Sequence, residues 1–142
     1  MEYISAEEFL KQDKEVQKVF LDWWKPSFGD LFTTRRVYDE IDVIIDITEN
    51  DLWGMNNTFK GNIYSSVDKS LMPFPLFTEG QLRKFIEDKT CGISSIYFRC
   101  NNISINIYDN DSPTCIKRYE RLGIDLLQAY WKVALEIAKE SQ

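Results

Sequence analysis

Two groups of side chains in this 142-residue chain have the types and spacing to do chemistry, and they carry opposite charge. Residues 37–59 hold six acids, Asp39, Glu40, Asp42, Asp46, Glu49 and Asp51, and no base. On a strand, Glu40, Asp42 and Asp46 share one face, with neighbours two apart separated by about 7 Å. Carboxylates at that spacing imitate the charges of a nucleic-acid backbone and fit a basic groove on a protein partner. The plainer role is a solvated edge strand that repels aggregation partners. Trp53, in a turn-rich segment beside the row, is the aromatic best placed as an exposed anchor. Glu40, Asp42, Asp46, Glu49, Asp51 and Trp53 are therefore the candidate protein-binding set.

The second group is basic and aromatic. Lys117, Arg118 and Arg121 follow a hairpin that carries Tyr97, Arg99 and Tyr108. Arginine forks match phosphate oxygens, and aromatic faces accept bases, so these six residues form a candidate ligand-binding set for a phosphate-bearing molecule. The plainer role is surface charge paired with Asp109, Asp111 or Glu120.

Other chemistries are excluded by composition. The chain has no histidine, which removes Ser-His-Asp, Cys-His and His-metal sites. Cys91, Cys100 and Cys115 are an odd set without a CxxC pair, pointing to reduced structural thiols and away from a disulfide framework or structural zinc. The Asp109–Asp111 run lacks the glycine and distal glutamate of a calcium loop. No GxGxxG or GKS/T loop is present. Asp42 and Asp46 are the nearest to an acid/base pair, and nothing in the sequence separates their pKa values. The expectation is a protein that binds without turnover: no enzyme, no catalytic residues, no cofactor and no metal.

A net charge of −6, from 23 acids against 17 bases, disfavours nonspecific nucleic-acid binding. No apolar run approaches the roughly 18 residues that cross a bilayer, and MEYISAEEFL lacks the order of a signal peptide. The expectation is a cytoplasmic protein without membrane contact.

The elements that must position these groups are legible in caps and periodicity. Ser5 and Glu8 make a capping box, and the apolar positions from Phe9 to Trp23 recur at helical spacing until Pro26, with a restart at Asp13. Ile41, Val43, Ile45 and Ile47 alternate with Asp42, Ile44, Asp46 and Thr48, predicting a strand with one buried face. Residues 31–37 pair with it through a turn at Asp39 and Glu40, and a further strand is expected around Thr58 to Ser65. Trp23, Trp24 and Trp131 are expected to be core or helix-packing residues. Thr78 and Gln81 cap a helix that ends at Cys91 and Gly92.

The segment IYFRCNNISINIY predicts a hairpin turning at Asn101 and Asn102, which pairs Cys100 with Ile103, Phe98 with Ile105 and Ile96 with Ile107 on one face. Tyr97, Arg99, Ser104, Asn106 and Tyr108 then occupy the other face. Residues 109–116 read as a loop, and residues 117–122 fit either a strand or a first helical turn. Asp125 and Gln128 cap a long C-terminal helix with a wide apolar stripe. The fold class is α+β, a small mostly antiparallel sheet packed against two or three helices, with residues 1–142 forming a single domain.

Three stretches, EEFLKQDKEVQKVFLDWWKPSFGDLF, PLFTEGQLRKFIEDKT and DLLQAYWKVALEIAKE, resemble short uncharacterised proteins encoded by phages and prophages of Gram-positive bacteria. The resemblance implies a phage accessory protein and supplies no activity. On that basis the first expected function is stoichiometric inhibition of a host defence protein through the acidic surface. The alternatives are a binder that sequesters a nucleotide signal, and a structural or assembly protein that forms homo-oligomers. The expected partner is a host protein or a nucleotide ligand.

Overall fold

The computed structural model describes residues 2–34, 41–48, 51–54, 60–62 and 73–141. The chain divides into two compact units, Ser5–Leu76 and Met1–Ile4 with Phe77–Gln142. Both have α+β character.

In the first unit, α1 (Ala6–Leu10) begins where Ser5 Oγ accepts from the Glu8 amide at 3.2 Å. The helix breaks after one turn and restarts at Asp13, the N-cap of α2 (Lys14–Trp23). The break is held by Gln17, whose side-chain amide donates to the Gln12 carbonyl at 2.8 Å. Trp24 leaves the helix in an extended conformation ahead of Pro26, and its indole donates to Asp30 at 3.0 Å.

Five strands follow: β1 (Leu31–Thr34), β2 (Asp42–Thr48), β3 (Asp51–Gly54), β4 (Lys60–Asn62) and β5 (Pro73–Pro75), in the antiparallel order β4-β3-β2-β1-β5. Phe9 stacks on Phe74 at 5.4 Å and meets Phe20 edge-on at 6.3 Å, which ties the helices to β5. The predicted turn at Asp39 and Glu40 lies outside the described residues. Of the strand predicted around Thr58 to Ser65, β4 is the described portion.

The alternation along β2 does not sort as its periodicity predicts. Asp42 and Ile44 are buried whereas Ile41 is exposed, and the pairing of β2 with β3 shifts register between Ile44 and Asp46. Asp42 stands opposite the buried Phe32 and against Gly54, the one residue type that leaves room for its carboxylate. Its Oδ1 accepts from the Val43 amide at 2.8 Å.

The second unit holds α3 (Glu79–Thr90), β6 (Gly92–Arg99), β7 (Asn102–Asp109), β8 (Cys115–Tyr119) and α4 (Leu126–Glu140). Strands β6-β7-β8 form an antiparallel sheet. α3 opens on a complete capping box between Thr78 and Gln81, and closes where Cys91 takes a left-handed conformation (φ 53°). α4 opens on Asp125, which accepts from the Gln128 amide at 3.1 Å. The two helices cover one sheet face: Leu82, Phe85 and Ile86 of α3 and Tyr130, Val133, Ala134 and Ile137 of α4 are buried with Ile103, Ile105 and Ile107 of β7. Residues 117–119 resolve as strand; Arg121 then takes a left-handed turn (φ 58°), and Ile103 and Leu122 bond backbone to backbone at 3.0 Å.

The hairpin turns one residue earlier than predicted. Cys100 (φ 51°) and Asn101 (φ 61°) occupy the left-handed positions, so Phe98 pairs with Ile103, Ile96 with Ile105 and Ser94 with Ile107. The shift moves each pairing by two, which keeps the same residues on the same face. It changes their burial: Ile103, Ile105 and Ile107 are fully buried, whereas Phe98 is 74% and Ile96 37% exposed. Cys100, predicted to share a face with Ile103, sits exposed at the turn. Trp24 and Trp131 are buried and Trp23 is half-buried.

Candidate functional site

The outer face of the β6-β7-β8 sheet, opposite the helices, carries the candidate ligand group. Its register sets Ser95, Asn106 and Arg118 in one row, with Tyr97 and Ser104 in the next. Tyr108 stands opposite Ile93 and, across a register irregularity, Cys115. The phenol oxygens of Tyr97 and Tyr108 lie 3.1 Å apart, and the Asn106 amide donates to Tyr108 at 3.5 Å. The two tyrosines therefore bridge over the intervening row and form one aromatic element, with Tyr97 exposed and Tyr108 half-buried.

The electrostatics of that element are asymmetric. The bond to Tyr97 lowers the pKa of Tyr108 below its ordinary value of 10, with a further contribution from Asn106. Tyr97 is raised from the same starting value, first by that hydrogen bond and then by the charge of its partner. Tyr97 is thus the donor when Tyr108 ionises. Arg118 lies beside the pair, and the neighbouring Cys115 thiol raises its pKa.

At the turn end of the same face a concavity of about 370 Å³ is lined by Arg99, Cys100, Asn102, Ser104, Glu120 and Arg121. The left-handed backbone at Arg121 carries the chain across the end of β7 and brings Arg121 to the same concavity as Arg99. Glu120 offsets one of the two positive charges. With Arg118 included, the face holds three arginines against that one acid among the described residues. Tyrosine faces and guanidinium forks in this arrangement can hold a flat ring and an anionic group together.

Lys117 does not belong to this site. It stands opposite Ile107 on the helix-facing side, forms an ion pair with Glu140 of α4, and lies 5.3 Å over the Tyr119 ring. Its pKa is raised chiefly by Glu140. The cause is the pleat, which sends Lys117 and Arg118 to opposite faces. Five of the six predicted residues, Tyr97, Arg99, Tyr108, Arg118 and Arg121, thus fall on one face or at its end.

Cys100, Asn102, Ser104 and Glu120 join the concavity without having been predicted as ligand residues; the turn at Cys100 and Asn101 brings the first two there, and Glu120 follows the end of β8. Asp109 Oδ1 accepts from the Asp111 amide at 2.9 Å, so the acidic run at the far end of β7 closes a turn.

The acidic group fares differently. Burial removes Asp42 from any solvent-facing row, since its side chain fills the space beside Gly54 and Phe32. Backbone pairing sets Asp46 opposite Trp53 and Thr48 opposite Asp51. The side chains of Asp46, Asp51 and Trp53, and all of Glu40 and Glu49, lie outside the described residues. Cys91, Cys100 and Cys115 are free thiols. Among the described residues, no helix is long and apolar enough to cross a membrane. No protein-family model, curated protein or solved structure matches the chain.

Proposed function

We propose that this protein is a non-catalytic binder that captures a small phosphate-bearing aromatic ligand, a nucleotide, on the outer face of the β6-β7-β8 sheet. The observation that carries the reading is the Tyr97–Tyr108 bridge, with Arg118 beside it and Arg99 and Arg121 lining the adjoining concavity. The tyrosines offer stacking area for a base, and the arginines offer forks for phosphate. The face is shallow and solvent-accessible, an arrangement suited to holding a ligand and poor at excluding the water that competes with turnover. In the phage setting that the sequence resemblance implies, capture without turnover sequesters a nucleotide signal. The acidic-surface alternative has less behind it, because Asp42 is buried.

Thermal unfolding with linear and cyclic nucleotides tests the reading. A ligand present at 100 times its dissociation constant stabilises the folded chain by about 2.7 kcal/mol. A shift that is present in the natural sequence and lost in R118A supports the site. Absence of a shift with every nucleotide retires it.

A further inference from the structure

Among the described residues, β6 forms an edge of the second unit's sheet with no strand paired to its outer side. Because Arg99 and Asn102 flank a two-residue turn, they form a hydrogen-bonded pair, and so do Tyr97–Ser104, Ser95–Asn106 and Ile93–Tyr108. The alternate residues Ser94, Ile96 and Phe98 must then direct their N–H and C=O groups away from β7. Ser94 confirms this orientation, since its amide donates to Glu87 Oε2 of α3 at 2.7 Å. Ile96 and Phe98 have no such cover among the described residues, and their side chains are exposed as well.

Natural edges are guarded by short length, proline, lysine or a bulge. β5 carries Pro73 and Pro75, β4 is three residues long, and β8 carries Lys117 and Arg118 with a register shift in its pairing. β6 has eight residues, GISSIYFR, with regular pairing, no proline and no lysine. Its exposed half offers Ile96 and Phe98 on one face and Tyr97 on the other.

We propose that β6 is a homodimerisation edge, pairing antiparallel with β6 of a second copy about a two-fold axis at Tyr97. In that register Ile96 meets Phe98 of the second copy and Phe98 meets its Ile96, each pair exchanging both backbone hydrogen bonds. The pattern is self-complementary, as a two-fold interface requires. Apolar side chains oppose apolar ones, Tyr97 opposes its own copy, and Arg99 opposes Ser95, so no like charges are juxtaposed. Glu87 limits the contact by occupying the edge at Ser94. The result is a continuous six-stranded sheet with both outer faces on one side.

Sedimentation of the full chain across a concentration series reads the result. The expected outcome is a concentration-dependent dimer. Its affinity rises with salt, because each chain carries a net charge of −6 and the interface itself is uncharged except at Arg99. F98K, and independently I96K, weakens dimerisation by about tenfold or more with unchanged circular dichroism, since each places an unpaired ammonium against apolar side chains. In a C91S/C100S/C115S background, Y97C forms a disulfide-linked dimer on oxidation, because the two-fold axis sets the two residues in a close non-hydrogen-bonded pair. A monomer at all concentrations in high salt, a dimer retained in both lysine variants, or a dimer in which Y97C does not cross-link would overturn the proposal. None of these outcomes depends on ligand binding.

Discussion

Glu87 of α3 accepts two hydrogen bonds from Ser94 of β6, at 2.7 Å from its amide and 3.2 Å from its hydroxyl, and so fixes the helix to the sheet edge. Arg83, one turn earlier and 3.6 Å away, orients the carboxylate. E87A leaves the Ser94 amide without its partner and is expected to cost about 1–3 kcal/mol in urea unfolding. E87Q keeps an acceptor oxygen at that point, and its cost falls below that of E87A.

Gly54 is a second point where one atom decides stability. A Cβ there would stand 2.2 Å from Oδ2 of Asp42 and 2.9 Å from Cζ of Phe32, both on buried side chains. G54A is expected to lose about 1–3 kcal/mol, the range for overpacking a filled site, measured by chemical denaturation.

The tyrosine pair predicts an uneven titration. Tyr108 ionises below its ordinary value of 10 because Tyr97 donates to its phenolate, and Tyr97 ionises above it. Because the chain has seven tyrosines, ultraviolet difference titration of the natural sequence against Y108F isolates Tyr108, and the absorbance change that Y108F removes should arise below 10. Y97F removes the donor, so Tyr108 returns upward toward 10. The sign confines any linked effect on stability to alkaline pH: a depressed acid stabilises only where it is ionised, and a raised one opposes it. At neutral pH both are protonated, and Y97F leaves the pH dependence of unfolding unchanged there.

Lys117 and Arg118 are adjacent in sequence and separate in role. A hydrogen bond from a charged group is worth about 1.5–3 kcal/mol, so R118A should weaken nucleotide binding by about tenfold or more. K117A should leave affinity within about twofold, since its ammonium pairs with Glu140 on the helix side. Calorimetric titration of both variants distinguishes the faces, and equal losses would place the ligand elsewhere.

Helix ends and helix faces were legible from sequence because their determinants lie within one turn. Ser5 with Glu8, Thr78 with Gln81 and Asp125 with Gln128 all cap as their spacing predicts. The hairpin face that shows Tyr97, Arg99 and Tyr108 was legible too, because the observed register differs from the predicted one by two, which preserves strand parity. The side taken by Lys117 was not, since residues 117–122 fit two secondary structures until paired with β7. Nor was the burial of Asp42, whose alternation with Ile41 and Val43 argues for exposure until Phe32 and Gly54 are placed beside it.

Sequence alone thus determined the α+β class, the helix boundaries and the absence of imidazole chemistry, all of which depend on composition and on contacts a few residues apart. Tertiary structure decided the turn at Cys100 and Asn101, the opposite faces taken by Lys117 and Arg118, and that β6 has no strand on its outer side among the described residues. Asparagine tolerates a left-handed backbone better than cysteine does, yet Cys100 takes that position in a hairpin whose β7 isoleucines lie buried under α3 and α4. Burial of that kind is a property of which elements meet, and local spacing carries no record of it.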